Sequence, residues 1–110
     1  MYLPAPDESF LIGTLRIALR IPGARSLKDR RRVVLSLRDR VQARHGAAVA
    51  EVGWLDEPGR AVIGIAVVGN DRGLLQSRLD TIAADIERVA DALLTDRSTD
   101  IRPFGDALRG

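Results

Sequence analysis

The sequence predicts an α+β protein in which a four-stranded antiparallel sheet, its fourth strand weak, carries two helices on one face. Three observations lead to this fold. Residues 10–21 alternate apolar and polar side chains with the period of a strand. Residues 60–68 are apolar on both faces, as expected of a central strand covered on both sides. Two longer segments, one before and one after this strand, repeat apolar residues at helical spacing.

The turn after the first strand leads into a well-marked helix start. Pro22-Gly23 ends the strand, because proline cannot donate to the ladder and glycine permits a turn. Ser26 is the expected N-cap, and Asp29 three residues later completes a pattern similar to a capping box. Since Gly46 is the expected C-terminal stop, we predict a helix from residue 27 to residue 45.

This first helix has an apolar arc and, opposite to it, a basic arc. With the residue just before the N-cap, the basic side chains are Arg25, Lys28, Arg31, Arg32 and Arg38. They could grip a phosphate backbone beside the free N–H groups of the helix N-terminus. A solvated outer face without a partner is the equally weighted alternative. Arg30 falls inside the apolar arc, so it must extend to solvent or find a partner.

The rest of the chain completes the sheet. Residues 47–55 are predicted to form a short strand, and residues 56–59 a turn. Asn70 or Asp71 caps a second helix that runs to about Leu94. The tail, 96–110, has room only for a short edge strand, where Pro103 is tolerated. With residues 1–9 as a loose lead-in, the order is βαββαβ, the ferredoxin-like pattern, in a single domain of residues 1–110.

Two helices on one face leave the other face of the sheet open. We expect two such faces to pair in a homodimer, because an exposed apolar patch marks an interaction surface. The candidate residues for this dimer face are Phe10, Ile12, Ile63, Ile65 and Val67. The less favoured alternative is that the tail or the lead-in folds back over it.

Composition and charge exclude several classes of protein. There is no cysteine and one histidine, which leaves neither disulfides nor a thiolate or histidine metal site, and no cofactor is expected. No apolar run approaches the roughly 20 residues of a membrane helix, so a cytoplasmic protein is expected. The net charge is +2, yet residues 16–44 carry ten basic and two acidic side chains. This asymmetry points to an anionic partner.

Catalysis has little support in the sequence. We expect His45 to interact with the C-terminal end of the helix dipole rather than act as a base. Ser26 is a cap before it is a nucleophile, and the Gly-rich segment 69–73 lacks the spacing of a phosphate-binding fingerprint. Trp54 could stack a base but is expected to cover the core. We therefore predict that the protein is not an enzyme.

The run from Ile21 to Asp29, with shorter motifs at 50–52, 60–62 and 67–71, resembles the YlxP-like family, a bacterial domain of unknown function. The similarity covers roughly residues 11–90. One departure is that Pro58-Gly59 stands where the family has a Trp-Gln pair. The resemblance implies a ferredoxin-like fold and no established activity. The genes of members tend to lie near translation and ribosome-maturation genes, which implies a ribosomal or RNA partner.

The sequence therefore favours a module that binds structured RNA or a ribosomal particle through its first helix. Recognition would be of shape and backbone, and no sequence-specific binding of DNA is expected. Two alternatives remain open. One is an adaptor whose basic helix docks on an acidic protein, and the other is a dimeric domain that senses a small molecule.

Overall fold

The computed structural model describes residues 10–89 and 91–105, and these follow the order βαββαβ. The elements are β1 (Leu11–Arg20), α1 (Leu27–His45), β2 (Ala48–Gly53), β3 (Arg60–Gly69), α2 (Arg72–Glu87) and β4 (Leu93–Pro103). The strands form one antiparallel sheet in the order β2-β3-β1-β4, with both helices packed on one face. The predicted ferredoxin-like α+β fold is confirmed. Neither helix in the described ranges combines the length and apolar character needed to cross a membrane.

The core lies between the helices and one face of the sheet. On β1 the core row is Leu15, Ile17 and Leu19, and antiparallel pairing sets Ile63 of β3 opposite Ile17. The helices add apolar side chains at helical spacing, namely Val34, Leu37 and Val41 from α1 and Leu75, Leu79, Ile82, Ala83 and Ile86 from α2. Almost every large side chain of this layer is excluded from water, which supplies most of the driving force for folding.

The structure corrects part of the predicted dimer face. Ile63, Ile65 and Val67 are at most 4% exposed and belong to the core beneath the helices, so their assignment to the open face is wrong. The reason lies in the neighbouring strand, where Arg16 and Arg20 occupy the alternate row and must face solvent. Pairing with β1 therefore turns the isoleucine row of β3 inward.

The open face of the sheet carries the other row of β3. Its residues are Val62, Gly64, Ala66 and Val68, so that small residues stand in the middle of the row and a valine at each end. Ile12 pairs with Val68 in the register and lies on this face, as predicted. Phe10 lies just before β1, where its ring stacks on that of Phe104 with centroids 4.8 Å apart.

The end of the chain also differs from the prediction. Asp71 caps α2 by accepting a hydrogen bond from the backbone N–H of Leu74, as expected, but the helix ends at Glu87 rather than near Leu94. Leu93 belongs instead to β4, which has eleven residues and is not a short strand. Pro103 ends this edge strand, where a missing N–H is tolerated. Residues 1–9 and 106–110 of the predicted lead-in and tail lie outside the described ranges.

Two glycines are required by the backbone and the packing. Gly46 ends α1 with φ +60°, a left-handed conformation that glycine adopts without steric cost, which confirms the predicted stop. Gly13 of β1 lies beneath α2, where an added Cβ would meet Leu75 and Leu79 at 3.1 Å. Its missing side chain lets α2 approach the sheet closely.

Candidate nucleic-acid interface

The start of α1 is fixed by reciprocal side-chain hydrogen bonds. The hydroxyl of Ser26 accepts from the backbone N–H of Asp29 at 3.1 Å, which confirms the predicted N-cap. The Asp29 carboxylate accepts from the backbone N–H of Arg25, also at 3.1 Å, one residue earlier than in a regular capping box. Both Ser26 and Asp29 are therefore engaged in the cap of α1.

The five predicted cations form what we call the basic surface, consisting of Arg25, Lys28, Arg31, Arg32 and Arg38. The first four are exposed, and no carboxylate of the described residues lies within 4.0 Å of their cationic groups. Arg38 differs, since it is half-buried and its Nη2 lies 3.2 Å from Asp39 Oδ1. The unpaired cations of the basic surface therefore lie in the N-terminal half of α1 and just before it.

Arg30 is the cation of α1 that the sequence placed in the apolar arc, and the structure gives it partners. The residue is 4% exposed, its Nε donates to the carbonyl of Arg60 at 2.9 Å, and its Nη1 lies 2.5 Å from Glu51 Oε1. Its Nη2 has no hydrogen-bond partner among the described residues. Arg30 therefore joins the first turn of α1 to β2 and to the start of β3.

At its other end, α1 is joined to α2 through Asp85, which is 6% exposed. Arg40 Nη2 lies 2.9 Å from Asp85 Oδ1, Arg44 Nη1 lies 3.5 Å from the same oxygen, and His45 Nε2 lies 3.1 Å from Oδ2. The hydrogen bond from Arg40 is the main cause that lowers the pKa of Asp85, and it outweighs burial, which acts in the opposite direction. His45 is thus held at the helix end by a carboxylate, a partner that sequence reasoning missed.

Metal binding has no support among the described residues. They contain no group of three or more His, Cys, Asp or Glu side chains that could hold a metal ion. A depression of about 400 Å³ beside the Pro22-Gly23 turn is lined by Arg32 together with Asp29 and Asp91. Two carboxylates beside one guanidinium make this depression a poor site for a small anion. The basic surface can therefore act as an exposed charged area rather than as a pocket.

The open face of the sheet contains a second, apolar depression of about 540 Å³. Its floor consists of the small residues Ala48, Ala50, Gly64 and Ala66, with Val52 at its side. Val52 and Val68 protrude from this face and are 57% and 59% exposed. The open face therefore has both an apolar hollow and protruding valine side chains. A side chain of that kind could fill such a hollow.

Trp54 is not a core residue, so the expectation that it covers the core is wrong. It follows β2, is 42% exposed, and lies beneath the guanidinium of Arg60, whose Cζ is 5.0 Å from the ring centroid. Its φ of +52° is unusual for a bulky residue. That backbone conformation turns the indole toward β3, and no local sequence pattern signals it.

Comparison with known proteins gives one family match. The family model described as "Protein of unknown function (DUF503)" matches residues 12–99, from the first strand into the last. The chain is also similar to the de novo designed protein Foldit4, at 12% identity over 84% of this chain and 93% of the other, with a TM-score of 0.44. A de novo designed protein with ferredoxin fold, LFR1 1, is similar at 19% identity over 86% and 88% of the two chains, with a TM-score of 0.43. Among curated proteins no match is found.

Proposed function

Because this chain belongs to the DUF503 family, whose function is unknown, we propose its function from its own surface. The protein is a non-enzymatic module that binds structured RNA, or a ribosomal particle, through the basic surface of α1. We also propose that it is a YlxP-like member of the family and that it acts in the cytoplasm, where a ribosomal partner would be found.

The proposal rests on a difference between two groups of cations on α1: some are paired with carboxylates, and others are exposed without such a partner. Arg30, Arg40 and Arg44 are paired with carboxylates and serve the fold. The four exposed cations of the basic surface have no such partner among the described residues, although they lie close together and repel one another. A polyanion would relieve this repulsion and release its own counterions on binding.

The dimensions of the basic surface suit a nucleic-acid backbone. At 1.5 Å per residue, the stretch of α1 from Lys28 to Arg38 is roughly 15 Å long, enough to contact several successive phosphates. The basic surface contains only Arg and Lys and no Asn or Gln to read an adenine edge. Recognition through shape and phosphates is the mode expected for folded RNA, whose deep major groove is closed to side chains.

The test is a titration of the protein into labelled, folded ribosomal RNA, beside the double variant Arg31→Glu/Arg32→Glu. We expect the variant to bind at least about tenfold more weakly, because two attractive contacts become repulsive. A matched control is Arg72→Glu/Arg88→Glu, which changes the net charge equally on α2 and should bind as the unmodified protein does.

The result that contradicts the proposal is an absence of binding to RNA at low salt. A protein pull-down would then examine the alternative, an adaptor that docks on an acidic protein. Equal losses of RNA affinity in the α1 and α2 variants would also contradict the proposal, since they would show that affinity depends on net charge alone.

For the open face of the sheet, we propose that a second copy of the chain binds there. In a two-fold pair, Val68 of one copy can enter the hollow over Ala48 and Ala66 of the other, whereas Gly64 is already covered by Val52 of its own copy. Strands of 10, 6, 10 and 11 residues, about 4.8 Å apart, give a face of at most roughly 600 Å² per copy. That is the low end of specific interfaces, so the dimer should form at micromolar concentrations rather than below.

A further inference from the structure

A second cationic site lies at the end of the sheet where β1 ends and β3 begins. It is at the margin of the open face and shares no lining residue with the apolar hollow that the proposed dimer would fill. Arg20 and Arg60 are directly opposite each other in the antiparallel register, and both are exposed. No carboxylate of the described residues lies within 4.0 Å of either guanidinium. Like charges directly across a strand pair destabilise the sheet, and an anion bound between the two guanidiniums would remove this repulsion.

The third member of the site is Trp54, the only tryptophan of the chain. One face of its indole lies under the Arg60 guanidinium, and the residue is still 42% exposed. With Arg20, Glu57, Gly59 and Thr95, these two residues line a depression of about 480 Å³, within the size range of small-molecule sites. An aromatic ring beside two guanidiniums is complementary to the two halves of a nucleotide, the base and the phosphate.

The site is held in place by the same helix that carries the basic surface. The buried Arg30 donates to the carbonyl of Arg60 at 2.9 Å, which fixes the backbone at the start of β3. The carbonyl of Gly59 accepts from the backbone N–H of Ile21 at 2.8 Å, next to the turn that leads into α1. The nucleotide-sized depression and the start of α1 therefore lie at the same end of the sheet, on opposite faces.

We propose that Trp54, Arg20 and Arg60 bind one unpaired nucleotide of an RNA strand. The base stacks on the exposed side of the indole, and the phosphate lies between the two guanidiniums. Glu57, which lines the same depression, opposes the phosphate and weakens the binding. That the nucleotide belongs to an RNA rests on the proposed function. That the site binds a nucleotide is argued from its own residues and does not depend on that function.

The test uses the fluorescence of Trp54, which reports from inside the site. Hexa-adenylate RNA is titrated into the full chain, with selective excitation of tryptophan, and saturable quenching is expected. Arg20→Gln should bind about tenfold more weakly, and Glu57→Gln more tightly by a few-fold. The control Arg88→Gln removes one exposed charge from the end of α2 and should leave the quenching curve unchanged. Circular dichroism spectra establish that each variant is folded.

Three outcomes overturn this proposal. The first is an absence of quenching at millimolar hexa-adenylate, and the second is an Arg20→Gln curve identical to that of the unmodified protein. The third is that 5′-AMP binds as tightly as the hexamer, which would show a site for a free nucleotide. The two proposals fail separately. Folded ribosomal RNA that binds without quenching by hexa-adenylate would remove the nucleotide site alone, and quenching without binding of folded RNA would remove the proposed role of α1.

Discussion

The loss of stability on replacing Arg30 by methionine can be estimated from the contacts that Arg30 makes. Methionine keeps the apolar stem of the side chain and removes the guanidinium. The change leaves the carboxylate of Glu51 without its partner and the carbonyl of Arg60 without its donor. Removal of one member of a buried ion pair costs about 3–5 kcal/mol. Glu51 Oε1, which faces Arg30, is buried, but the Glu51 side chain as a whole is 29% exposed, so the lower value of about 3 kcal/mol is expected.

The measurement is the free energy of unfolding in urea, followed by circular dichroism. A loss of about 3 kcal/mol is a large share of the 5–15 kcal/mol typical of single domains. The matched control is Arg31→Met on the next residue, which is exposed and should change stability by less than about 0.5 kcal/mol. The double variant Arg30→Met/Glu51→Leu should recover about 2 kcal/mol of the loss, because an apolar pair carries no unpaired charge.

Two results would refute this reasoning. A loss below about 0.5 kcal/mol for Arg30→Met would show that the ion pair contributes nothing to the fold. A double variant less stable than the single one would show that Glu51 is stabilised by contacts other than that with Arg30.

Two further predictions concern the helix contact and the open face. Asp85→Asn should lower stability by about 2 kcal/mol at pH 7, measured in urea, because the buried acceptor of three basic side chains loses its charge. Since contacts lower the pKa of Asp85 in the folded state, its contribution is complete above the unfolded value of about 3.9 and is lost as pH falls through the lower folded value. The difference between the two proteins should therefore shrink below pH 4, and a constant difference would argue against the ion pair as its source. In sedimentation velocity at tens of micromolar, the unmodified chain should be dimeric and Val68→Glu monomeric, while a monomeric unmodified chain would exclude the proposed pairing.

Local signals in the sequence were sufficient for the turn and helix that carry the basic surface. Ser26 and Asp29 specify the start of α1, and Gly46 specifies its end, because capping depends on residues three or four positions apart. The exposed positions of Lys28, Arg31 and Arg32 follow from helical periodicity alone. These features needed no knowledge of the rest of the chain.

The features that sequence reasoning missed depend on distant partners. Both rows of β3 are apolar, so the row beneath the helices is decided by pairing with β1 and not by β3 itself. β4 lacks an apolar pattern because an edge strand is held largely by backbone pairing, so its middle residues, 95–100, are all polar. Leu93 continues the helical spacing of α2 by coincidence. For this reason the second helix was predicted to be longer than it is.

The contact between Trp54 and Arg60 could not have been predicted from the sequence either. It requires a left-handed backbone at a bulky residue, which no propensity favours. The pairing of Arg20 with Arg60 likewise depends on the register between β1 and β3. Side chains that meet across a hairpin or a strand pair are visible only once the register is known.

The account depends most on the claim that phosphates bind the unpaired cations at the N-terminal half of α1. The most direct measurement is the affinity for folded ribosomal RNA as a function of salt concentration, for the unmodified protein and for Arg31→Glu/Arg32→Glu. Four contacts predict a plot of log affinity against log salt with a slope of about −4, reduced by about two units in the variant. A slope near zero, or the same slope in both proteins, would contradict the claim.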